Sequence, residues 1–307
     1  MFHGFISIDK PPAITAHDCV SRLRKMLKQK KIGHGGTLDP MATGVLPIAV
    51  GDATRLLRFL PEGKAYDAKI RFGVVTNTDD ITGEIIGDRP CPKLTLEAVQ
   101  DLLPLFQGKI TQRPPAFSAI QVDGKRLYDL ARRGEITAED VPTREVEVQE
   151  IRILGWTEGT YPELDVAIAC GSGTYIRAIA RDLGEKLGFG ATLSGLRRTF
   201  SNGFDLNASL TFEQVAEKLR SHSFAVLSPD HGLHLLPMAY LNEDETKRWC
   251  MGQAIAKAYP TPNPMTQDAP QDAPIYFRTY TDNHSFLGIS EINSNHLQPT
   301  VVLRAIN

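Results

Sequence analysis

Along KAYDAKIRF, residues 64–72, apolar and polar side chains alternate without a break. Tyr66, Ala68, Ile70 and Phe72 fall on one face, and Asp67, Lys69 and Arg71 on the other. A period of two describes a strand with one wet face. The same pattern predicts strands at REVEVQEIRI (144–153) and ELDVAIAC (163–170). It also predicts a short apolar strand at GFISID, which Lys10-Pro11-Pro12 terminates because proline brings no N–H to a ladder. Elsewhere the spacing is helical. Thr15 is placed to cap a helix with Asp18 in its first turn and Val20, Leu23 and Leu27 as the buried stripe. TLEAVQDLLPLF predicts a helix capped by Thr95, with Leu96, Val99, Leu103 and Phe106 inward. Beyond the turn Gly171-Ser172-Gly173-Thr174, Ile176, Ile179, Ala180 and Leu183 form another buried stripe, and Arg177 and Arg181 share a face four residues apart. Residues 33–47, GHGGTLDPMATGVLP, hold four glycines and two prolines and predict a long loop with little regular structure.

Strands interspersed with helices, often over hairpin-length connections, predict an α+β fold: a largely antiparallel mixed sheet with flanking helices. Pattern alone leaves a parallel arrangement open. The texture shifts near residue 232. The stretch from Tyr259 to Pro274 holds five prolines and no positive charge, and reads as a loop. Strand signals follow at 275–280, 285–289 and 300–303. The expected division is a catalytic domain over 1–232 and a small β-rich domain over 233–307, with no internal repeat.

Composition narrows the class. Hydrophobic residues make up 42% and charged residues 23%, ordinary values for a chain with a filled core. Cys19, Cys91, Cys170 and Cys250 form no C-x-x-C pair, which argues against a disulfide framework or a zinc site and fits a reducing cytosol. No apolar run approaches the roughly 20 residues of a membrane span, and MFHGFISIDKPP does not read as a signal peptide. The expectation is a cytoplasmic protein. A net charge of −2 advertises no nucleic acid. The distribution says more: Arg22, Arg24, Lys25, Lys28, Lys30 and Lys31 run without an acid between them, and Lys125, Arg126, Arg132 and Arg133 form a second group. Either is ordinarily a solvated face, but both suit phosphate contacts that position a partner bound by shape.

Taken one at a time, the chemically interesting residues read blandly. GHGGTLDP lacks the Gly-Lys-Ser/Thr of a phosphate loop, and no dinucleotide fingerprint follows a strand. Asp39 before Pro40 is a turn-former. Tyr66 in an alternating strand is core, and an arginine on a helix is usually solvated.

The ordered set changes that reading. Asp9-Lys10-Pro11, GHGGTLDPMATGVLP, KAYDAKI, SAIQVDGKRLYDLARRG, GTYIRAIARDLGEKLG and LRR closely resemble the blocks of the TruB-type tRNA pseudouridine synthases over about 200 residues. The tail after 233, with MGQAI and FLGI, more loosely resembles the small PUA-type RNA-binding domain attached to such enzymes. The resemblance implies that Asp39 is the catalytic aspartate, Tyr66 the tyrosine that stacks on the target uracil, and Arg177 the arginine paired with the aspartate. It implies that His34 occupies space near the extruded base, that Tyr175 and Leu196 line the base pocket, and that Lys10 lies beside it. It further implies tRNA, at its T stem-loop, as the partner, and DGKRLYDLARRG as an insertion closing over the RNA. Nothing in the sequence asks for an oligomer, so a monomer is expected.

The implied reaction breaks the N1–C1′ bond of a uridine, turns the base and joins C5 to C1′. No atoms enter or leave and no redox change occurs, so neither metal nor cofactor is required. A carboxylate nucleophile divides the step, at C6 of the ring or at C1′ of the sugar. Its pKa would rise on burial and be drawn back by a guanidinium. Where the family commonly has glycine, serine and tyrosine, this chain has Ala13, Ala16 and Phe117. Ala13 implies an ordinary backbone conformation there. Two alternatives stand beside the stand-alone synthase: a guide-RNA-dependent synthase of a ribonucleoprotein, and a non-catalytic RNA-binding protein on the same scaffold. The intact Asp39, Tyr66 and Arg177 set argues against the last.

Overall fold

The computed structural model describes residues 1–118, 121–122, 125–126, 133–256, 274–293 and 295–303. Most of the DGKRLYDLARRG block and of the proline-rich stretch lies outside the described residues.

The alternating segments form the middle of a nine-stranded sheet. Strand β1 (Gly4–Lys10) pairs with β3 (Thr43–Val50), whose other edge receives β2 (Ile32–His34). Beyond β3 come β12 (Ala191–Ser201), β4 (Lys64–Phe72), β11 (Glu163–Cys170), β10 (Arg144–Thr157) and β7 (Gly108–Gln112), and the short β13 (Phe204–Asp205) extends β12. All these pairs are antiparallel except β3 with β12, so the predicted mixed sheet is present. Tyr66, Ala68, Ile70 and Phe72 are buried as the alternation requires. They share a core with Leu164, Val166, Ile168 and Cys170 of β11 and with helix α3 (Ile176–Lys186). The opposite face is wet and charged: Lys69 reaches Asp165 at 2.8 Å and Arg71 reaches Glu163 at 2.7 Å.

A second core lies where helix α1 (Ala16–Leu27) covers β1 and β3 together with Phe212 and Val215 of helix α4 (Phe212–Arg220). Thr15 caps α1 in a reciprocal arrangement with Asp18. Three of the six basic residues of this region are occupied within the chain. Arg22 lies over the Phe212 ring at 4.3 Å, Arg24 donates to the Ile32 carbonyl, and Lys31 meets Asp52 at 2.6 Å. Lys25, Lys28 and Lys30 remain exposed.

Two predicted elements are corrected. The expected 12-residue helix is an α-helical turn, α2 (Leu96–Gln100), followed by a 3₁₀ turn at Leu103–Phe106. Pro104 is the cause, since its ring opposes the carbonyl four residues back and it has no N–H. The expected loop at 33–47 is irregular only between β2 and β3, because Thr43 onward joins the sheet as β3. Pro47 is tolerated there because its carbonyl accepts from Gly35 on the β2 side, and its nitrogen, on the same edge, faces the gap between the β12 and β2 pairings.

Small hairpins complete the large domain: β5 (Val74–Thr76) with β6 (Ile85–Asp88), and β8 (Gln121–Val122) with β9 (Lys125–Arg126). The C-terminal portion is a five-stranded sheet of β14 (Met238–Leu241), β15 (Ile255–Ala256), β16 (Ile275–Thr281), β17 (Phe286–Asn293) and β18 (His296–Val302) in the order β14-β16-β17-β18-β15. Trp249 of helix α5 (Glu243–Cys250) is fully buried against it and donates to Ser290. Ile289, Val301 and Leu303 pack with Phe5, Val45, Leu56 and Phe204, so the two sheets share an apolar seam. No helix of the described residues is long and apolar enough to cross a membrane.

Candidate active site

Asp39 lies in the irregular turn between β2 and β3, and its position is fixed through its neighbours. The Pro40 carbonyl accepts from Lys10 Nζ at 3.1 Å and from the Ala13 N–H at 2.9 Å, while the Asp39 carbonyl accepts from Ala42. Lys10 is fully buried, and its ammonium also donates to the carbonyls of Pro11 and Ile14. It acts here as a staple under the turn and does not line the cleft. Ala13, expected in an ordinary conformation, instead has φ of 65°, in the left-handed region. The glycine preference at that position therefore persists in the backbone even though the residue is alanine.

Arg198 holds the other side of the turn. It is fully buried on β12, and its guanidinium donates to the carbonyls of Val45, Thr37 and Gly36. This reach depends on the parallel contact of β12 with β3 at Gly44, where φ is 100° and a Cβ would stand 2.1 Å from the Arg198 carbonyl oxygen. Arg198 also lies close enough to the Tyr66 hydroxyl to favour its ionised form.

The side chain of Asp39 faces Arg177, the second residue of α3. Asp39 Oδ1 accepts from Nη2 at 3.0 Å, and Oδ2 lies 2.9 Å from Nε as an ion-pair contact, although the Nε–H itself makes no hydrogen bond. The arginine side chain is 5% exposed while that of Asp39 keeps 32% of its surface open, so the carboxylate, not the guanidinium, faces the cleft. The terminal nitrogens of Arg177 are engaged elsewhere too: Nη1 donates to the Thr78 carbonyl and Nη2 to that of Phe117. Asp80 Oδ2 is 3.5 Å from Nη1. Gln112 steadies the start of α3 by accepting from the N–H of Tyr175 and donating to its carbonyl.

Beside Asp80, Asp79 pairs with Arg181 at 2.8 Å, and Arg181 also donates to the Arg113 carbonyl. Adjacent aspartates of the β5–β6 turn thus meet arginines one helical turn apart on α3. Asp80 is further held by Thr78 and Thr82, both of which donate to Oδ1.

Asp39, Tyr66, Tyr175, Arg177 and Leu196, expected together, line one cleft of about 280 Å³ with Thr37, Leu38, Lys64, Gly173, Thr174 and Ile176. That is near the small end of the roughly 300–1,000 Å³ of small-molecule sites. His34 is half-buried at the end of β2, outside that lining, and burial lowers its pKa so that the neutral imidazole is favoured. Other depressions, of 330 and 660 Å³, lack a buried carboxylate paired with a buried guanidinium.

Electrostatically the cleft opposes the charge on Asp39. Burial pushes its pKa above the ordinary carboxylate value; Arg177 draws it down, and the Asp80 carboxylate pushes it up again. Burial also raises the Tyr66 phenol to about 12, with Arg198 working against that rise. The sequence reading missed Asp80, Arg198 and Lys64. The adjacent aspartates in TNTDDITG were the available signal for Asp80, though such residues ordinarily mark a turn.

Comparison with known proteins places this arrangement. Residues 24–176 match the TruB family pseudouridylate synthase N-terminal domain, 177–239 the tRNA pseudouridylate synthase B C-terminal domain, and 237–303 the C-terminal region of pseudouridine synthase II TruB. The chain is 52% identical over 305 residues to tRNA pseudouridine synthase B of Trichormus variabilis, covering 99% of each. It is 47% identical over 302 residues to the protein of that name from Gloeobacter violaceus, covering 98% of each. Two solved structures share the fold. A chain of a Cbf5-Nop10-Gar1 complex has a TM-score of 0.67 at 24% identity, covering 94% of this chain and 78% of that one. A chain of an H/ACA RNP bound to a substrate RNA containing 2'-deoxyuridine has a TM-score of 0.69 at 20% identity, covering 99% and 85%. With three family domains in succession and half its residues shared with relatives along nearly its whole length, the chain belongs to the TruB family of pseudouridine synthases.

Proposed function

We propose that the protein isomerises a uridine in the T-loop of tRNA to pseudouridine, with Asp39 as the nucleophile and no cofactor. The observation that carries this reading is the ion pair of Asp39 with the buried Arg177 inside a cleft of about 280 Å³ that Tyr66 also lines. The names of the relatives supply the RNA class.

In this reading the target uridine leaves its stack and enters the cleft, at a cost of a few kcal/mol that the Tyr66 ring partly offsets. Asp39 attacks as a carboxylate, at C6 of the ring or C1′ of the sugar, and that bond breaks again before the product leaves, which restores the free carboxylate. Arg177, which does not deprotonate, keeps it charged and oriented. The N1–C1′ bond breaks, the base turns, C5 bonds to C1′, and the proton released from C5 is balanced by one gained at N1. Tyr66, whose ionised form Arg198 favours, is assigned to assist that proton transfer. The 233–307 region is assigned the role of a small PUA-like RNA-binding domain. Lys25, Lys28 and Lys30 are assigned to phosphates outside the cleft, and the protein acts as a monomer in the cytoplasm.

The test compares wild type with Asp39→Asn on unmodified tRNA, following pseudouridine formation and RNA affinity separately. The variant is expected to lose the chemistry and keep affinity within a few-fold. Turnover near the wild-type rate in Asp39→Asn excludes the nucleophile assignment.

A further inference from the structure

Lys64 opens β4 two residues before Tyr66, so the two side chains leave the same face of the strand. Both line the cleft that holds Asp39. The Lys64 side chain runs beneath the Asp39 turn. Its Cε passes 3.8 Å from the point where a Cβ on Gly36 would sit, and Nη1 of Arg198 passes 3.7 Å from the same point.

The cations around the cleft differ in how their charge and donors are used. Arg177 faces the carboxylates of Asp39 and Asp80. Arg198 is engaged by three carbonyls, and Lys10 by three carbonyls. Among the described residues Lys64 has no such partners. None of the ion pairs among the described residues includes it, and its electrostatic neighbours are the like charge of Arg198 and, more weakly, Cys170 and Glu62. Burial and Arg198 together lower its pKa. A half-buried ammonium with no ion-pair partner is unfavourable, and an anion brought by the substrate relieves it.

We propose that Lys64 Nζ grips a non-bridging phosphodiester oxygen of the nucleotide that enters the cleft, and so sets how deeply that nucleotide seats against Asp39. The inference rests on the functional reading above. A uridine in RNA carries a phosphodiester on each side of its ribose, so seating the base near Asp39 brings a phosphate to the cleft mouth. A lysine is a compact point charge with three rotatable donors, suited to a phosphate whose approach is not planar. Lys64 is thus a positioning residue: it holds the substrate while Asp39 reacts.

The experiment uses RNA stem-loops in which the phosphate 5′ or 3′ of the target uridine is replaced by an uncharged methylphosphonate. They are assayed with the full chain as wild type, Lys64→Met and Lys64→Arg. Single-turnover rates are read directly, and affinities are read in an Asp39→Asn background across a salt series. One of the two methylphosphonates is expected to weaken the wild type about tenfold and to leave Lys64→Met unchanged. Lys64→Arg is expected to retain that penalty, which keeps the test readable if Met at 64 disturbs the cleft. Removing the charge is expected to reduce the slope of log affinity against log salt by about 0.7, the single-strand value for one phosphate contact. Equal methylphosphonate penalties in wild type and Lys64→Met, with activity on the unmodified stem-loop intact, overturn the inference. Absence of pseudouridine from the wild type overturns the functional reading instead, so the two failures are distinct.

Discussion

Arg177 meets Asp39 through two nitrogens, Nε at 2.9 Å from Oδ2 and Nη2 at 3.0 Å from Oδ1, so the guanidinium sets the orientation of the carboxylate as well as its charge. A lysine at 177 would preserve the charge and lose the fork. Arg177→Lys is therefore expected to slow pseudouridine formation by roughly 100-fold, the scale of misplacing a reacting group by about 1 Å. RNA affinity should change only a few-fold, because Arg177 is buried behind Asp39. Rapid-quench kinetics under saturating enzyme separate the two quantities. An unchanged rate constant would mean that Arg177 serves folding alone.

Asp80 touches the same guanidinium and raises the pKa of Asp39. The reacting form of Asp39 is the carboxylate, so the rate climbs with pH as Asp39 loses its proton. Removing the Asp80 charge removes one cause of the raised pKa. In Asp80→Asn the acid limb of kcat/KM is therefore expected to move to lower pH, while the plateau falls because Arg177 loses an anchor. In Arg177→Gln the group that draws the pKa down is gone, so the acid limb moves to higher pH. Opposite shifts in the two variants are the signature. An upward shift in Asp80→Asn would show that Asp80 acts on Asp39 mainly by keeping Arg177 in place.

Burial raises the Tyr66 phenol to about 12, so at pH 8 only on the order of one molecule in ten thousand is ionised. Proton transfer through this hydroxyl then depends on Arg198, which favours the ionised form. Tyr66→Phe keeps the ring under the base and removes the hydroxyl. It is expected to leave affinity within a few-fold and to reduce the rate by roughly 10²- to 10⁴-fold, the usual range for a general acid–base group. Tyr66→Leu also loses the stacking, a further cost of about 1–3 kcal/mol in binding. A near-normal rate in Tyr66→Phe removes the hydroxyl from the mechanism and leaves the ring as a platform.

Much of this site was legible before the fold was known, for reasons that differ by residue. The alternation around Tyr66 gave both its strand and its buried face. Asp39 and Arg177 stood out only through the ordered blocks around them, since each alone reads as a turn-former or a solvated helix residue. Arg198 and Asp80 were hidden because their roles arise from tertiary contacts. The parallel pairing of β12 with β3 brings Arg198 to the carbonyls of the Asp39 turn, and the β5–β6 hairpin carries Asp80 to α3. Local sequence registers neither approach. Lys10 was placed near the base and proves to be a staple under Pro40, because a lysine's length lets it reach backward into the turn.

Ala13 shows the same limit in the backbone, and it yields a prediction about stability. Its φ of 65° puts a Cβ-bearing residue in the left-handed region, a conformation that costs roughly 1–2 kcal/mol for ordinary L-residues. The strain persists because the Ala13 N–H is bonded to the Pro40 carbonyl, which in turn fixes Asp39. Ala13→Gly removes the steric cost but adds freedom to the unfolded chain, worth about 0.4–1 kcal/mol in the opposite direction. The net expectation is a gain of up to about 1.6 kcal/mol, seen as a rise in Tm of about 1–3 °C by calorimetry. Because glycine keeps the N–H and the same φ, the bond to Pro40 should survive and the rate of pseudouridine formation should stay within about twofold of wild type. A fall in Tm would show that the methyl group contributes more through packing than its backbone strain costs. A fall in rate with Tm raised would show instead that the rigidity of alanine at this position helps hold Asp39 against the substrate.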